Sequence, residues 1–166
     1  MKQHNRDDHM SSYVQTIRSM VGAQRIFVPG VRAVIVNQPS EILLQRRTDS
    51  SLWGLPGGAV ELNETVYDAL EREVLEETGL TVVTAHPMGL YSGPNQQITY
   101  PNGDEVQCFA LAFIVSEWTG RPRADGREGS DVRFFPLERL PAALVPIHRK
   151  TIEDYAGYDG TFLLSG

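Results

Sequence analysis

Residues 53–80 read WGLPGGAVELNETVYDALEREVLEETGL, and the passage changes character in the middle. Trp53 to Gly58 is crowded with helix breakers and reads as a loop. From Asn63, a residue suited to an N-cap, to Thr78 there is neither Gly nor Pro, and Gly79 then supplies a C-terminal stop, so one long helix is predicted. At about 100° per residue, Glu73, Glu76 and Glu77 share one stripe. Val66, Leu70 and Val74 lie beside that stripe and are expected to be buried, which runs three carboxylates along the edge of the core. Like charges at this spacing repel by a few tenths of a kcal/mol per pair, roughly. Arg72 is the only basic residue in the helix to offset them. Clustered carboxylates are oxygen ligands suited to Mg²⁺, Mn²⁺ or Ca²⁺, and Mg²⁺ is usually held by one or two of them together with substrate phosphates.

Working outward, the chain alternates between the two periodicities of an α/β protein. Ser12 to Val21 reads as a short helix ended by Gly22, and Val31 to Val36 followed by Glu41 to Gln45 as a strand pair. Leu80 to Val83, Ile98 to Tyr100, Glu105 to Val115 and Val132 to Phe135 are further strand candidates, with Asn102-Gly103 predicting a two-residue hairpin turn. Pro146 to Tyr155 reads as a closing helix with Pro near its start. The polar, breaker-rich segment from Thr119 to Ser130 is a loop of the kind that often carries function.

At 166 residues the chain has the length of one domain. Its hydrophobic share of 41% excludes a disordered class. The net charge of −6 argues against general binding to nucleic acid or anionic lipid. Cys108 is the only cysteine. That rules out an intrachain disulfide or a CxxC metal motif and fits a reducing, cytoplasmic setting. Met1 to Met10 has no apolar stretch of a signal peptide, and the longest apolar run, Phe109 to Val115, is far shorter than the ~20 residues of a membrane helix.

Gly58, Glu64, Arg72, Glu73, Glu76, Glu77 and Gly79 stand in the pattern G-x5-E-x7-R-E-V-x-E-E-x-G-L, which resembles the Nudix box of the MutT-like hydrolases. Seven such identities arise by chance at roughly one in 10⁸ starts. Leu43 to Arg47 (LLQRR), Trp53 to Gly58 and Phe134 to Pro141 (FFPLERLP) are similar to segments flanking the box. The resemblance implies an α/β/α sandwich around a mixed β-sheet, with residues 1–24 an N-terminal extension bearing the short helix, 25–157 the hydrolase domain and 158–166 a C-terminal tail. It also implies Mg²⁺ or Mn²⁺, a small-molecule nucleotide substrate, and compatibility with a homodimer.

The resemblance further matches Glu76 and Glu77 to metal ligands and Glu73 to a ligand or to the base that deprotonates the attacking water. Arg72 is matched to the residue orienting Glu73, and Gly58 to a metal contact through its carbonyl. Glu64, opposite Glu73 on the helical wheel, is given a structural role behind the ligands. Of the later acids Glu117, Asp125, Glu128 and Asp131, Glu128 is favoured as a catalytic group because it sits just ahead of the Phe134 strand. One of Arg46 and Arg47 is expected to hold a phosphate oxygen, since neighbours in a strand face opposite ways. Tyr91 and Tyr100 are candidates to stack on a base.

The implied reaction is hydrolysis of the pyrophosphate in a nucleoside diphosphate linked to another moiety, with ADP-ribose or a related sugar nucleotide expected first. Dinucleoside polyphosphates and oxidised nucleoside triphosphates are the alternatives. Two other classes compete: an isopentenyl-diphosphate-type isomerase, which needs a catalytic cysteine where Cys108 reads as a small buried hydrophobe, and a non-catalytic nucleotide sensor, which usually lacks box carboxylates that are all present here.

Overall fold

The computed structural model describes residues 12–37 and 40–166; the readings of Met1 to Met10 and of the Gln38-Pro39 break lie outside them. The apolar run that reads as one strand is part of β1 (Ile26–Asn37), and it is buried from both sides. Val31, Ala33 and Ile35 face a cluster with Ala69, Leu70 and Val74 of α2 (Val66–Thr78). Val34 faces the opposite cluster, where Leu144 and, on α3 (Pro146–Ala156), Ile152 close the other layer. A strand sealed on both faces has no use for polar alternation, which is why Ala33 to Val36 is continuously apolar, with Arg32 the one charged residue in the run. Burying a side chain such as Leu70 contributes about 1.5–3 kcal/mol, so each helix is held chiefly by its apolar stripe.

The sheet is mixed and eight-stranded, as the α/β/α sandwich requires. Its order is β3 (Trp53–Gly54), β2 (Glu41–Arg47), β1, β6 (Glu105–Gly120), β4 (Leu80–Tyr91) and β8 (Leu163–Ser165). Off this path β5 (Gln97–Thr99) pairs with β6, and β7 (Gly129–Pro136) with β2. Strand β1 runs parallel to β6 from Ile26↔Val106 to Ile35↔Val115, whereas its ladder with β2 extends only over Val36↔Ile42 and Asn37↔Glu41. Where β2 diverges, residues 56–60 take its place: Ala33 donates to the Pro56 carbonyl at 2.8 Å, Val31 to Gly58 at 2.9 Å, and Val60 to Pro29 at 3.0 Å. The glycine-rich loop is thereby laid along a central strand.

Three local expectations are corrected. The N-cap of α2 is Thr65: its hydroxyl accepts the Asp68 N–H while the Asp68 carboxylate accepts the Thr65 N–H, a reciprocal box that satisfies two orphan donors. Asn63 instead takes a left-handed turn at φ 62° that swings the chain into the helix. Starting later, the helix leaves Val66 in its first turn 39% exposed, while Leu70 and Val74 are fully buried. Finally, Gly103 donates to Tyr100 and Tyr100 to Asp104, so Pro101 and Asn102 form the turn and Gly103, at φ 88°, is the bulge of a three-residue hairpin. Strand β8, within the stretch read as a tail, pairs in parallel with β4 through Leu90↔Leu164.

Candidate active site

Arg72 organises the start of the site. Its guanidinium donates to both carboxylate oxygens of Glu64 (2.7 and 3.0 Å), to Glu73 (2.6 Å) and to the Ala59 carbonyl (3.0 Å). Glu64 precedes the helix, so the wheel does not apply to it; the turn at Asn63 folds it back onto Arg72, and it also accepts the Glu61 N–H at 2.9 Å. Both ion pairs hold Arg72 charged, and together they fix the angle at which Glu73 leaves the helix.

Glu73 and Glu77 are buried at 8% and 2% exposure, one turn apart, beneath the glycine-rich loop. Glu77 accepts the Gly57 N–H at 2.7 Å. Burial pushes the Glu73 carboxyl up even against Arg72, and burial beside Glu73 pushes Glu77 well above the carboxylate range. A side chain on Gly58 would overlap the Glu73 carboxylate. Gly57 stands at φ 144°, and any Cβ there would collide with the Val31 backbone. The Gly58 carbonyl accepts the Val31 amide, which leaves one lone pair. Glu76 is 62% exposed, 3.5 Å from Arg72, on the rim of the same pocket.

Glu128 faces this stripe across the pocket, and its carboxyl is pushed up to about 7 by burial and by Glu73, with Arg47 opposing. Its loop is tied down by Asp125, whose carboxylate accepts the amides of Arg127 (3.1 Å), Glu128 (3.1 Å) and Gly129 (2.8 Å). Thr48 binds the other side, donating its N–H to the Glu128 carbonyl at 2.9 Å and its hydroxyl to Arg127 at 2.6 Å. Asp125 therefore spends its oxygens on backbone. Glu117 accepts a hydroxyl from Thr84 and Asp131 pairs with Arg133, and neither lines the pocket.

Strand alternation resolves the arginine pair. Arg47 lines the pocket, held charged by the Asp49 carboxylate at 3.0 and 2.7 Å, while Arg46 is exposed outside it. Tyr100 lies on the pocket wall. Tyr91 does not: its ring is wholly buried in the second core cluster and its hydroxyl donates to Asp154 at 3.0 Å, so stacking on a base through Tyr91 is withdrawn.

The cavity these groups line encloses about 440 Å³, within the range of small-molecule sites. Its acid end is oxygen-only in donor character: Glu73, Glu76 and Glu128 line it, Glu77 is buried behind Glu73, and the two arginines beside them are already paired to carboxylates. Such a set fits a hard divalent cation, although among the described residues no three of the acids close around one point. Sequence reading missed three supports. Gln45 is buried in β2 among apolar neighbours and bonds Glu77, with its Oε1 left unpartnered; a polar residue inside LLQRR was the available signal. His148 on α3 accepts the Leu55 N–H at 3.0 Å through Nδ1. Arg32 enters the pocket wall from β1. A charged residue inside the apolar run VRAVIV was the signal for Arg32, whereas His148 carries none.

Comparison with known proteins agrees with this geometry. A profile described as NUDIX domain matches residues 26–155. The chain is 36% identical over 124 residues to an ADP-ribose pyrophosphatase of Methanocaldococcus jannaschii, covering 73% of this chain and 69% of that one. It is 44% identical over 113 residues to an oxidized purine nucleoside triphosphate hydrolase of Danio rerio, covering 65% and 66%. The crystal structure of a MutT NUDIX hydrolase from Burkholderia pseudomallei superposes with a TM-score of 0.66 at 29% identity, covering 77% of this chain and 97% of that one. An acid stripe on α2 laid under a glycine-rich loop, in this sheet, belongs to a pyrophosphate-cleaving hydrolase. The chain belongs to the Nudix family and is a pyrophosphohydrolase. Among the described residues no helix is long and apolar enough to cross a membrane.

Proposed function

We propose that the protein hydrolyses the pyrophosphate of a nucleoside diphosphate linked to another moiety, using Mg²⁺ or Mn²⁺. The observation that carries this reading is the opposition of Glu73 and Glu76 to Glu128 across one pocket, with Glu77 buried directly behind Glu73. Glu73, Glu76, Glu77 and the Gly58 carbonyl would hold the cation. When bound, it acidifies water and neutralises charge developing on phosphoryl oxygens.

The chain's own residues supply the rest. Arg72 orients Glu73, and Arg47 meets a phosphate oxygen at the pocket wall. Glu128, lifted into the neutral range, takes the proton of the attacking water. ADP-ribose or a related sugar nucleotide is the substrate reading made from sequence, and the name of the archaeal relative supports it. The name of the zebrafish relative supports oxidised purine nucleoside triphosphates as the second reading. The acidic chain and single cysteine support a cytoplasmic setting.

The test is turnover of a panel of these compounds with Mg²⁺ and Mn²⁺ in ¹⁸O-labelled water. The label is expected on a phosphate-bearing product; label on carbon, or metal-independent cleavage of simple monoesters, overturns the reading.

A further inference from the structure

The pocket has a second end, and it is built unlike the first. Val28, Gly30, Cys108 and Ala110 form its floor on β1 and β6, with Ile98, Val106 and Ile147 around them. On the same face of β1 and β6, two to four residues further on, Ala112, Val34 and Ile114 are closed core. Arg32 stands at this boundary. It is only 3% exposed, yet it lines the cavity.

Its partners are all neutral. The guanidinium donates to the Ile147 carbonyl (3.1 Å), the Thr151 hydroxyl (3.0 Å) and the Gln96 Oε1 (2.6 Å), lies 5.7 Å from the centre of the Tyr91 ring, and faces the Cys108 thiol. The other two pocket arginines are paired: Arg47 with Asp49, Arg72 with Glu64 and Glu73. Among the described residues no carboxylate is in ion-pair contact with Arg32, and burial lowers it to about 10. A buried cation without a counter-charge is costly and is rarely left so. On the wall of a ligand cavity, the missing acceptor is one the ligand can bring.

Apart from Glu61, whose carboxylate accepts the Tyr13 N–H at 3.2 Å, and the Tyr100 hydroxyl, the side chains at this end are apolar or hydrogen donors. His148 spends Nδ1 as an acceptor on Leu55, so only the Nε2–H remains to it. With phosphates gripped at the acid end, the strand end is left for the base. We propose that Arg32 is a specificity-determining residue that selects a nucleobase presenting a carbonyl oxygen, taking 6-oxopurines in preference to adenine. Both Nη1 protons and one Nη2 proton of Arg32 are already committed, which leaves the Nε–H and the second Nη2–H; these match the O6 and N7 acceptors of a 6-oxopurine, whereas adenine turns its N6 amino group, a donor, toward them. The inference rests on the proposed nucleotide chemistry for its ligand class, and because ADP-ribose carries adenine it favours the second substrate reading, oxidised purine nucleoside triphosphates, over the first.

IMP and AMP differ in this feature, and their binding to the metal-free protein by calorimetry needs neither turnover nor a variant. IMP is expected to bind about ten-fold or more tightly. ITP is expected to exceed ATP in kcat/KM with Mg²⁺, mostly through KM. Gln96→Glu places a carboxylate on Arg32 with almost no change in shape, so the fold is expected to survive with an unchanged or raised Tm while the base preference falls to about unity. Equal or tighter binding of AMP by the wild type overturns the proposal, as does a preference that survives Gln96→Glu, because Arg32 then only ties β1 to α3. If IMP is preferred but no nucleotide is hydrolysed, the base selection stands and the hydrolase chemistry fails. If both bases are hydrolysed alike, the reverse holds.

Discussion

The acids that face each other across the pocket are held by two different kinds of structure. Glu73 and Glu77 project from α2, so their spacing is set by the helix repeat and their direction by Arg72 and the Gly57 amide. Glu128 projects from the segment after Gly120, where three backbone amides gathered by Asp125 and two contacts from Thr48 do the work of a helix. Both sides end with carboxyl groups lifted by burial. The helical side tolerates change in its neighbours because its geometry is repeated at every turn. The loop side hangs on two side chains, Asp125 and Thr48.

The largest effect is expected from Glu77→Gln, which keeps shape and removes charge. Turnover should fall by roughly 10³-fold, on the scale of lost preorganised charge, with Mg²⁺ binding weakened. Glu77 is buried beside another acid, so in chelator the variant should melt no lower than the wild type. A lower apo melting temperature with activity intact would make the stripe structural and remove the comparison.

The adjacent glycines separate catalysis from folding on the helical side. In Gly58→Ala the new methyl meets the far end of the Glu73 side chain, which can swing aside. The fold should persist while kcat drops about 10²-fold, the cost of a misplacement near 1 Å. In Gly57→Ala the methyl meets the Val31 backbone at a positive φ, which cannot give way. Stability should fall there, read as a lowered Tm. Identical behaviour of the two variants would show that the loop, not Glu73, is what Gly58 protects.

On the loop side, Glu128→Gln should lower kcat by roughly 10²-fold with a smaller change in KM, as for a positioned base. Asp125→Ala should reach about ten-fold by displacing Glu128, and Asp125→Asn should recover part of it, since an amide oxygen still accepts backbone N–H groups. The pH dependence of kcat distinguishes the cases: it loses the Glu128 limb in Glu128→Gln and keeps it, shifted, in Asp125→Ala. Full activity in Asp125→Ala would mean that Thr48 alone holds the loop.

The contrast also explains what could be read from the sequence. The stripe of Glu73, Glu76 and Glu77 was legible because it is local: a helix converts spacing into direction without help from the rest of the chain. Leu70 and Val74 were legible as core for the same reason. The cap was misread by two residues because Asn63 and Thr65 are both good caps, and the Asp68 carboxylate three residues past Thr65 decided between them. What Arg32 and Tyr91 do was not legible. Their roles depend on β1 and β4 meeting α3 across more than fifty residues of chain, and a tyrosine before a Ser-Gly-Pro turn looks the same whether its ring is core or wall.

The smallest effect concerns the support that α3 gives the glycine-rich loop. His148 is half-buried on the pocket wall, and desolvation together with Arg32 and Arg47 holds its imidazole well below the ordinary value of 6.5. The folded protein therefore keeps it neutral, with Nδ1 free to accept the Leu55 amide, while the unfolded chain takes up a proton below pH 6.5. More protons bound in the unfolded state means stability rises with pH, so this residue's contribution is intact above pH 6.5 and is lost as pH falls, by at most about 1.4 kcal/mol per pH unit. The buried acids Glu73, Glu77 and Glu128 act in the opposite sense, since the folded state holds their protons to higher pH, and the total slope mixes both. Comparison with His148→Gln, whose amide oxygen can still accept from Leu55, isolates the histidine. Denaturant unfolding in chelator should show the variant losing about 1–2 kcal/mol less than the wild type between pH 8 and pH 5. Equal losses would mean that His148 is protonated within the folded protein, and the Leu55 hydrogen bond would then need another acceptor.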